Sequence, residues 1–279
     1  DWCENDLSGS PDPLLEEKYQ VVPGLIYKYR GGLSGKKYGR GNGRVLWTVT
    51  SFCASYCRFC TRGRLVGVFP DDDFLSSSNV KAVFDFLKKH PEVNEVIVSG
   101  GDPLTLPREK FEMIILGLSK IKSVKIIRIG TRLPVSNPDA VLKWHYEILA
   151  KLPFFYLMLH VNHPAELTDK TLKVLSKMSR NGGVICSQSV LLKGVNDSFE
   201  VLVELFSALA ENGIRPYYLL QNDPVPWAKN FTVPVKKAIK LWQKVRPALS
   251  GIAASAKFVL DTPRQDCKIP VPDVEFPGS

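Results

Sequence analysis

Long apolar runs are missing from this 279-residue chain: no stretch of 18 or more apolar residues occurs, so no membrane-spanning helix is expected. Cysteine is scarce, six in all, which excludes a disulfide-built scaffold. The short spacing of three of them instead suggests a reducing compartment and metal chemistry. The first residues, DWCENDLSGSPDPLLEEKYQ, lack both the basic start and the apolar core of a secretory leader. A cytoplasmic location is therefore expected, an organellar one being the alternative. What is present is ordinary for a globular protein: 44% hydrophobic and 23% charged residues, enough for one large α/β domain or two small ones. The formal charge is +9, from 37 Lys and Arg against 28 Asp and Glu. Nucleic acid or an anionic small molecule would suit that balance. Apart from KKYGRGNGR (36–44), however, the basic residues are scattered, and a solvated surface accounts for them.

Residues 1–43 are rich in Gly, Pro and charge without a sustained period, and read as an N-terminal arm or linker. From Val45 a rhythm begins. The runs VLWTVT (45–50), EVIVSG (95–100), VKIIRIGT (124–131), FFYLMLHV (154–161), VICSQSVLL (184–192), RPYYLLQ (215–221) and AKFVLD (256–261) predict buried strands. Between them, helical spacing recurs around 78–90, 108–119, 138–150, 168–181, 198–212 and 234–248; Val80, Val83, Phe84 and Leu87 share one helix face. Alternating strands and helices imply an α/β fold with a parallel sheet of right-handed units, a partial or complete (β/α) barrel over residues 44–279. Polar residues gather at the strand ends: Cys53, Gly100-Gly101-Asp102, Arg132, His160 to His163, Asp223 and Asp261, with Gln188 inside the fifth run. Any one of them reads as a cap or turn. Their common register points to a site, because barrel enzymes carry theirs at the carboxyl ends of the strands.

The segment SFCASYCRFCTRGR (51–64) holds Cys53, Cys57 and Cys60. C-x3-C-x2-C is not the paired CxxC of a zinc ribbon, and no second pair follows. Cys186 and Cys267 stand apart and read as a buried small side chain or a loop thiol. A [4Fe–4S] cubane takes four ligands, so three close thiolates leave one iron for a non-protein group. CxxxCxxC just after the first strand of a (β/α) barrel resembles the radical S-adenosylmethionine (SAM) superfamily. That resemblance implies that SAM chelates the open iron and that one electron cleaves it to a 5'-deoxyadenosyl radical. A three-cysteine zinc site with a distant fourth ligand is the structural alternative.

The likeness extends beyond the cysteines. VVPGLIYKYR (21–30), RVLWTVTSFCASYCRFCTRGR (44–64), VSGGDPL (98–104), IRIGTRLPV (127–135), HVNHPAELT (160–168), SQSVLLKGVND (187–197), PYYLLQND (216–223) and DTPRQDCKIPV (261–271) come in the order seen in the lysine 2,3-aminomutase family, over roughly residues 11–271. The resemblance implies a SAM-, cluster- and pyridoxal phosphate (PLP)-dependent isomerase. It would move the 2-amino group of L-lysine to C3: hydrogen leaves C3 of a PLP aldimine, the imine nitrogen bridges C2 and C3, and hydrogen returns at C2.

By the same resemblance Lys268, seven residues after Asp261, is the PLP lysine. Arg62 matches the arginine that pairs with the substrate carboxylate, where a planar fork suits the contact. Arg44 matches one near the cofactor phosphate. Gly100, Gly101 and Asp102 are assigned to the amino group of SAM, and Gln188 to the SAM or PLP site. Asp223 and Asp261 fall where lysine-specific members hold the ε-ammonium. By themselves, Arg44 reads equally as a linker charge, Asp261 as a turn cap, Gln188 as a core glutamine and Arg62 or Lys268 as surface charges.

Two departures stand out. RQDC (264–267) replaces the family's glycine-rich loop, and 31–43 has the look of an insertion. The chain is also short at both ends, so the oligomer contacts of larger members are not expected to carry over, and homo-oligomerisation is left open. The expected partners are an amino-acid substrate and a one-electron reductant such as flavodoxin or ferredoxin, without membrane or nucleic acid. Other readings are an aminomutase for arginine, ornithine, glutamate or protein modification, an RNA-associated radical SAM protein without PLP, and a zinc-bound structural module.

Overall fold

The computed structural model describes residues 9–30, 42–68, 72–263 and 268–271. Ten strands form one sheet in chain order. Its body is seven parallel strands: β3 (Gly43–Thr50), β4 (Val93–Gly100), β5 (Ile126–Thr131), β6 (Phe155–His160), β7 (Gly183–Leu191), β8 (Arg215–Gln221) and β9 (Lys257–Leu260). These are the seven predicted runs, each within about two residues at either end. β1 (Gln20–Val22) and β2 (Leu25–Tyr29) extend one edge antiparallel, and β10 (Ile269–Pro270) the other. Among the described residues no pairing joins β10 to β1, so the barrel is partial.

Part of the arm expected over residues 1–43 joins the sheet as β2. Leu25, Ile26, Tyr27 and Lys28 are buried, and Leu25 and Ile26 pair with Trp47 and Leu46. Five residues interrupted by a lysine carry too little period to be read as a strand; pairing with β3 supplies the missing stabilisation. Residues 31–41, most of the basic cluster 36–44 and of the apparent insertion 31–43, lie outside the described residues, as does RQDC with Cys267.

Helices α1 (Ser77–Lys89), α2 (Arg108–Ser119), α3 (Lys143–Leu149), α4 (Asp169–Arg180), α5 (Phe199–Glu211) and α6 (Val235–Val245) connect the parallel strands. Ser76, Thr168 and Ser198 cap the backbone N–H groups of Asn79, Thr171 and Val201, which sharpens the starts of α1, α4 and α5. The helix expected over 138–150 is broken. Pro138–Ala140 is a single tight turn, Val141 and Leu142 are extended, and α3 starts only at Lys143. Buried His145 stabilises the break: its Nδ1 accepts the Leu142 N–H at 3.0 Å and its Nε2 reaches the Leu104 carbonyl at 2.9 Å. The last expected helix likewise ends at Val245, because Pro247 follows.

Strand alternation sorts the side chains. Val45, Trp47 and Val49 of β3, like Val96 and Val98 of β4, are fully buried in the apolar core. Each such side chain contributes about 1.5–3 kcal/mol. The alternate positions face the barrel interior, and they are the polar interruptions of the apolar runs: Arg44, Ser99, Arg128, His160, Gln188 and Tyr218. That period of two explains why a sheet core can carry charges without dissolving.

Gly100 and Gly101 are where β4 meets the cysteine loop. Gly100 sits at φ +121°, and a Cβ on Gly101 would fall less than 3.0 Å from the Phe52 carbonyl oxygen. The backbone N–H groups of Gly101 and Asp102 donate to the Thr50 and Phe52 carbonyls at 2.7 and 2.9 Å. Gly101→Ala is therefore expected to cost about 3 kcal/mol and to lower Tm by roughly 10 °C. Gly251→Ala, with open space around the new methyl, should leave Tm within about 2 °C in the same calorimetric scan.

Candidate active site

The carboxyl ends of the parallel strands surround a cavity of about 310 Å³. All the expected site residues line it: the three cysteines, Arg44, Arg62, Gly100, Gly101, Asp102, Gln188, Asp223, Asp261 and Lys268. Residues 11–17 strap across one side, and Leu14 and Glu16 form part of the wall.

The cysteine loop leaves β3 at Thr50. Along it, Phe52, Ala54, Tyr56 and Arg58 are exposed while Cys53, Ser55, Cys57 and Phe59 turn inward. Tyr56 takes φ +42°, which helps to alternate the chain tightly enough to aim the thiols inward. The Ser55 N–H donates to Cys53 Sγ at 3.4 Å, and the Arg132 Nη1 donates to Cys57 Sγ at 2.9 Å. Burial pushes the Cys53 and Cys60 thiols up. Among the described residues no three His, Cys, Asp or Glu side chains converge on one metal-ion position, as a closed zinc site requires. A cubane asks for something else, because each cysteine ligates a different iron. Three inward thiols with N–H donors on two of their sulfurs fit that group.

Gly100, Gly101 and Asp102 line the cavity and also carry structural contacts. The glycines of SGGDP serve the crossing of two loops, as described above. Asp102 is 1% exposed, and its carboxylate accepts Thr131 Oγ1 at 2.7 Å and the Arg132, Leu133 and Leu104 N–H groups at 2.8, 2.9 and 3.1 Å. It ties β4 to β5, and its oxygens are already shared among four donors.

Arg62 is no surface arginine. Its Nε and Nη2 donate to the two Glu16 oxygens at 3.0 and 2.6 Å. Burial alone would lower its pKa, but Glu16 outweighs burial and raises it. Glu16 is itself 6% exposed. Arg64, two residues on, clasps Asp12 at 2.9 Å and Glu17 at 3.0 Å, which fastens the strap. A side-on pair at Nε and Nη2 leaves the Nη1 edge of Arg62 unused by Glu16.

The interior floor is cationic. Arg44 stacks over the Tyr29 ring at 4.0 Å and shares Glu95 with Arg128, at 4.0 and 2.7 Å. Among the described residues, Nε of both Arg44 and Arg128 is buried without a hydrogen-bond partner. Lys28, 5% exposed, donates to the Thr262 carbonyl, and burial lowers its pKa. Orphaned donors around one carboxylate make a floor that fits an anionic group such as a phosphate.

The acidic side holds the aspartates. Asp223 accepts Thr61 Oγ1 at 2.5 Å; burial, then the Asp261 charge, push its pKa up to about 6. Burial alone would also raise Asp261, but the Lys268 ammonium against it outweighs that and holds it below the usual carboxylate range. His160 stays neutral, pushed down to about 3 by burial and by Arg132, and its Nε2 lacks a partner among the described residues. Glu16, Lys28, Thr61 and Arg128 were not legible as site residues; Arg128, as a charge inside a strand run, was the available signal. Cys186 is buried in β7, as its isolation suggested.

The sequence pattern of the Radical SAM superfamily matches residues 47–216. L-lysine 2,3-aminomutase of Clostridium subterminale is 35% identical over 260 residues, 93% of this chain and 59% of its own. That of Fusobacterium nucleatum is 36% identical over 260 residues, again 93% of this chain and 58% of its own. The chain thus spans under two thirds of the length of these two relatives. An Aquifex aeolicus relative provisionally given the same name is 35% identical over 265 residues, 95% of this chain and 67% of its own. In fold, the chain resembles Streptococcus suis SuiB, solved with S-adenosylmethionine bound, with a TM-score of 0.56 at 18% identity over 81% of this chain and 49% of that one. With the superfamily pattern spanning the cysteine loop and most of the parallel sheet, and this identity running nearly end to end, the chain belongs to the lysine 2,3-aminomutase family of radical SAM enzymes.

Proposed function

We propose that the chain is an aminomutase that exchanges an amino group between C2 and C3 of L-lysine. One observation carries this reading: two half-buried carboxylates, Asp223 and Asp261, share a cavity with Lys268, Arg62 and the three-cysteine loop. When bound, the cluster with SAM supplies a 5'-deoxyadenosyl radical and PLP supplies the π-system across which nitrogen migrates. Cys53, Cys57 and Cys60 would hold the cluster. Lys268 would anchor the pyridoxal ring, while Arg44, Arg128 and Lys28 would receive its phosphate. Arg62, braced by Glu16, offers its remaining N–H edge to the substrate carboxylate. At the other end the aspartates take the ε-ammonium and reject a neutral or anionic side chain, which would bring no cation to two carboxylates covered by the ligand. The strap of residues 11–17 and the apolar walls keep water from the reacting carbons.

The test is a substrate panel of lysine, arginine, ornithine and glutamate for Asp223→Asn and Asp261→Asn. Removing one partner of a buried charge pair costs about 3 kcal/mol, so KM for lysine should rise on the order of 10²-fold. Unchanged preference for lysine would refute the role. The pH sense follows from Asp223: below about 6 its carboxyl is protonated and neutral, above it is charged. Lysine binding should therefore tighten as pH rises through that range, and Asp223→Asn should flatten the profile. A better turnover of arginine or ornithine would move the reading to that cation and leave the clamp in place.

A further inference from the structure

We propose that Arg132 raises the reduction potential of the cluster held by Cys53, Cys57 and Cys60, with Glu166 as the counterweight. The inference rests on the cluster assignment above and concerns a side chain to which that reading gives no role. Arg132 follows β5 directly. Its Nη1 donates to Cys57 Sγ at 2.9 Å and its Nη2 to Glu166 Oε2 at 3.2 Å. The guanidinium lies 5.7 Å from the centre of the Phe59 ring, and the side chain is 20% exposed.

This position is held from three directions. Asp102, spent on structure as shown above, receives the Arg132 backbone N–H at 2.8 Å and so fixes the point from which the side chain springs. Glu166 holds the guanidinium, and its other oxygen accepts the Asn162 N–H at 3.2 Å, which ties it to the end of β6. Cys57 closes the set. A cation so constrained beside a ligand sulfur differs from a mobile surface charge, which solvent would screen.

The redox step is simple. One electron from the external reductant converts the cluster from its 2+ to its 1+ state; no proton moves and no bond is made. The reduced state carries one more negative charge, shared with the thiolate sulfurs. A guanidinium hydrogen-bonded to one of those sulfurs stabilises the reduced state more than the oxidised one and makes the cluster easier to reduce. The Glu166 carboxylate offsets part of that field. Arg132 is thus a positioning residue for charge, acting through Cys57, and not a group that touches substrate.

The test is an anaerobic redox titration, followed by electron paramagnetic resonance, of the reconstituted protein without SAM. Wild type is compared with Arg132→Gln, Arg132→Lys and Glu166→Gln, with iron and sulfide measured for each. Arg132→Gln should cut the reduced-to-oxidised ratio at a fixed potential about tenfold, a midpoint about 59 mV more negative. Arg132→Lys, which keeps the charge but loses the fork, should shift it less in the same direction. Glu166→Gln should shift it the opposite way, a sign that mere structural damage would not produce. Equal midpoints in all four proteins would overturn the inference. So would Glu166→Gln moving in the same direction as Arg132→Gln. A wild-type protein without a [4Fe–4S] cluster would overturn the proposed function as well, whereas intact clusters with unmoved potentials sink this inference alone.

Discussion

Lys268→Ala protein loses turnover by on the order of 10³-fold or more, together with the borohydride-reducible link to pyridoxal phosphate, while its cluster content stays unchanged. The expectation rests on a choice between two lysines that line the same cavity. Lys28 has the lowered pKa that would make an amine nucleophilic, but it is 5% exposed and its ammonium is turned to the Thr262 carbonyl. Lys268 lies against Asp261 with its side chain 20% exposed, which leaves it more accessible to an aldehyde. Its ammonium is also the present counter-ion of that carboxylate. Peptide mapping after borohydride reduction decides the matter. Label on Lys268 in the wild type and none in Lys268→Ala is the expected pair of results; label on Lys28 in either would move the cofactor to the floor of the cavity.

Alanine at any one of Cys53, Cys57 or Cys60 should abolish the cluster. Iron and acid-labile sulfide fall to background, the broad visible absorbance disappears, and reductive SAM cleavage drops by on the order of 10³-fold or more, because two thiolates cannot hold a site-differentiated cubane. The fold should survive. The three side chains are only partly buried and add little to a core built on Trp47, Phe111, Phe155, Phe206, Trp242 and Phe258, all fully buried. Assembly works against an existing cost, since burial favours the protonated thiols of Cys53 and Cys60 and iron must displace those protons. Wild-type protein carrying zinc and no sulfide would replace the enzyme by a structural module.

Much of the architecture was written locally. Strands of β-branched residues and helices of 3.6-residue spacing carry their own signal, so β3 to β9 and most of the helices could be anticipated residue by residue. Where local signals conflicted, tertiary context decided. LIYKY became a buried strand because β3 offered an edge, and 138–150 split because His145 found a partner in Leu104. The three cysteines were also legible, since eight positions of chain define their spacing.

The electrostatics of the site were not. Arg62 meets Glu16 across 46 residues, Arg132 meets Cys57 across 75, and Lys268 shares a wall with Asp223 and Lys28. Side-chain period says which face a residue occupies but not which charge it will face across a barrel. So by itself the sequence determined the order of strands and helices, the thiol motif and the positions that point inward, all of them short-range properties of one segment of chain. Only the folded sheet decided which of the inward charges neutralise one another, which glycines are demanded by a crossing loop, and which acids line the cavity. Those are long-range pairings, set when seven strand ends converge on one cavity.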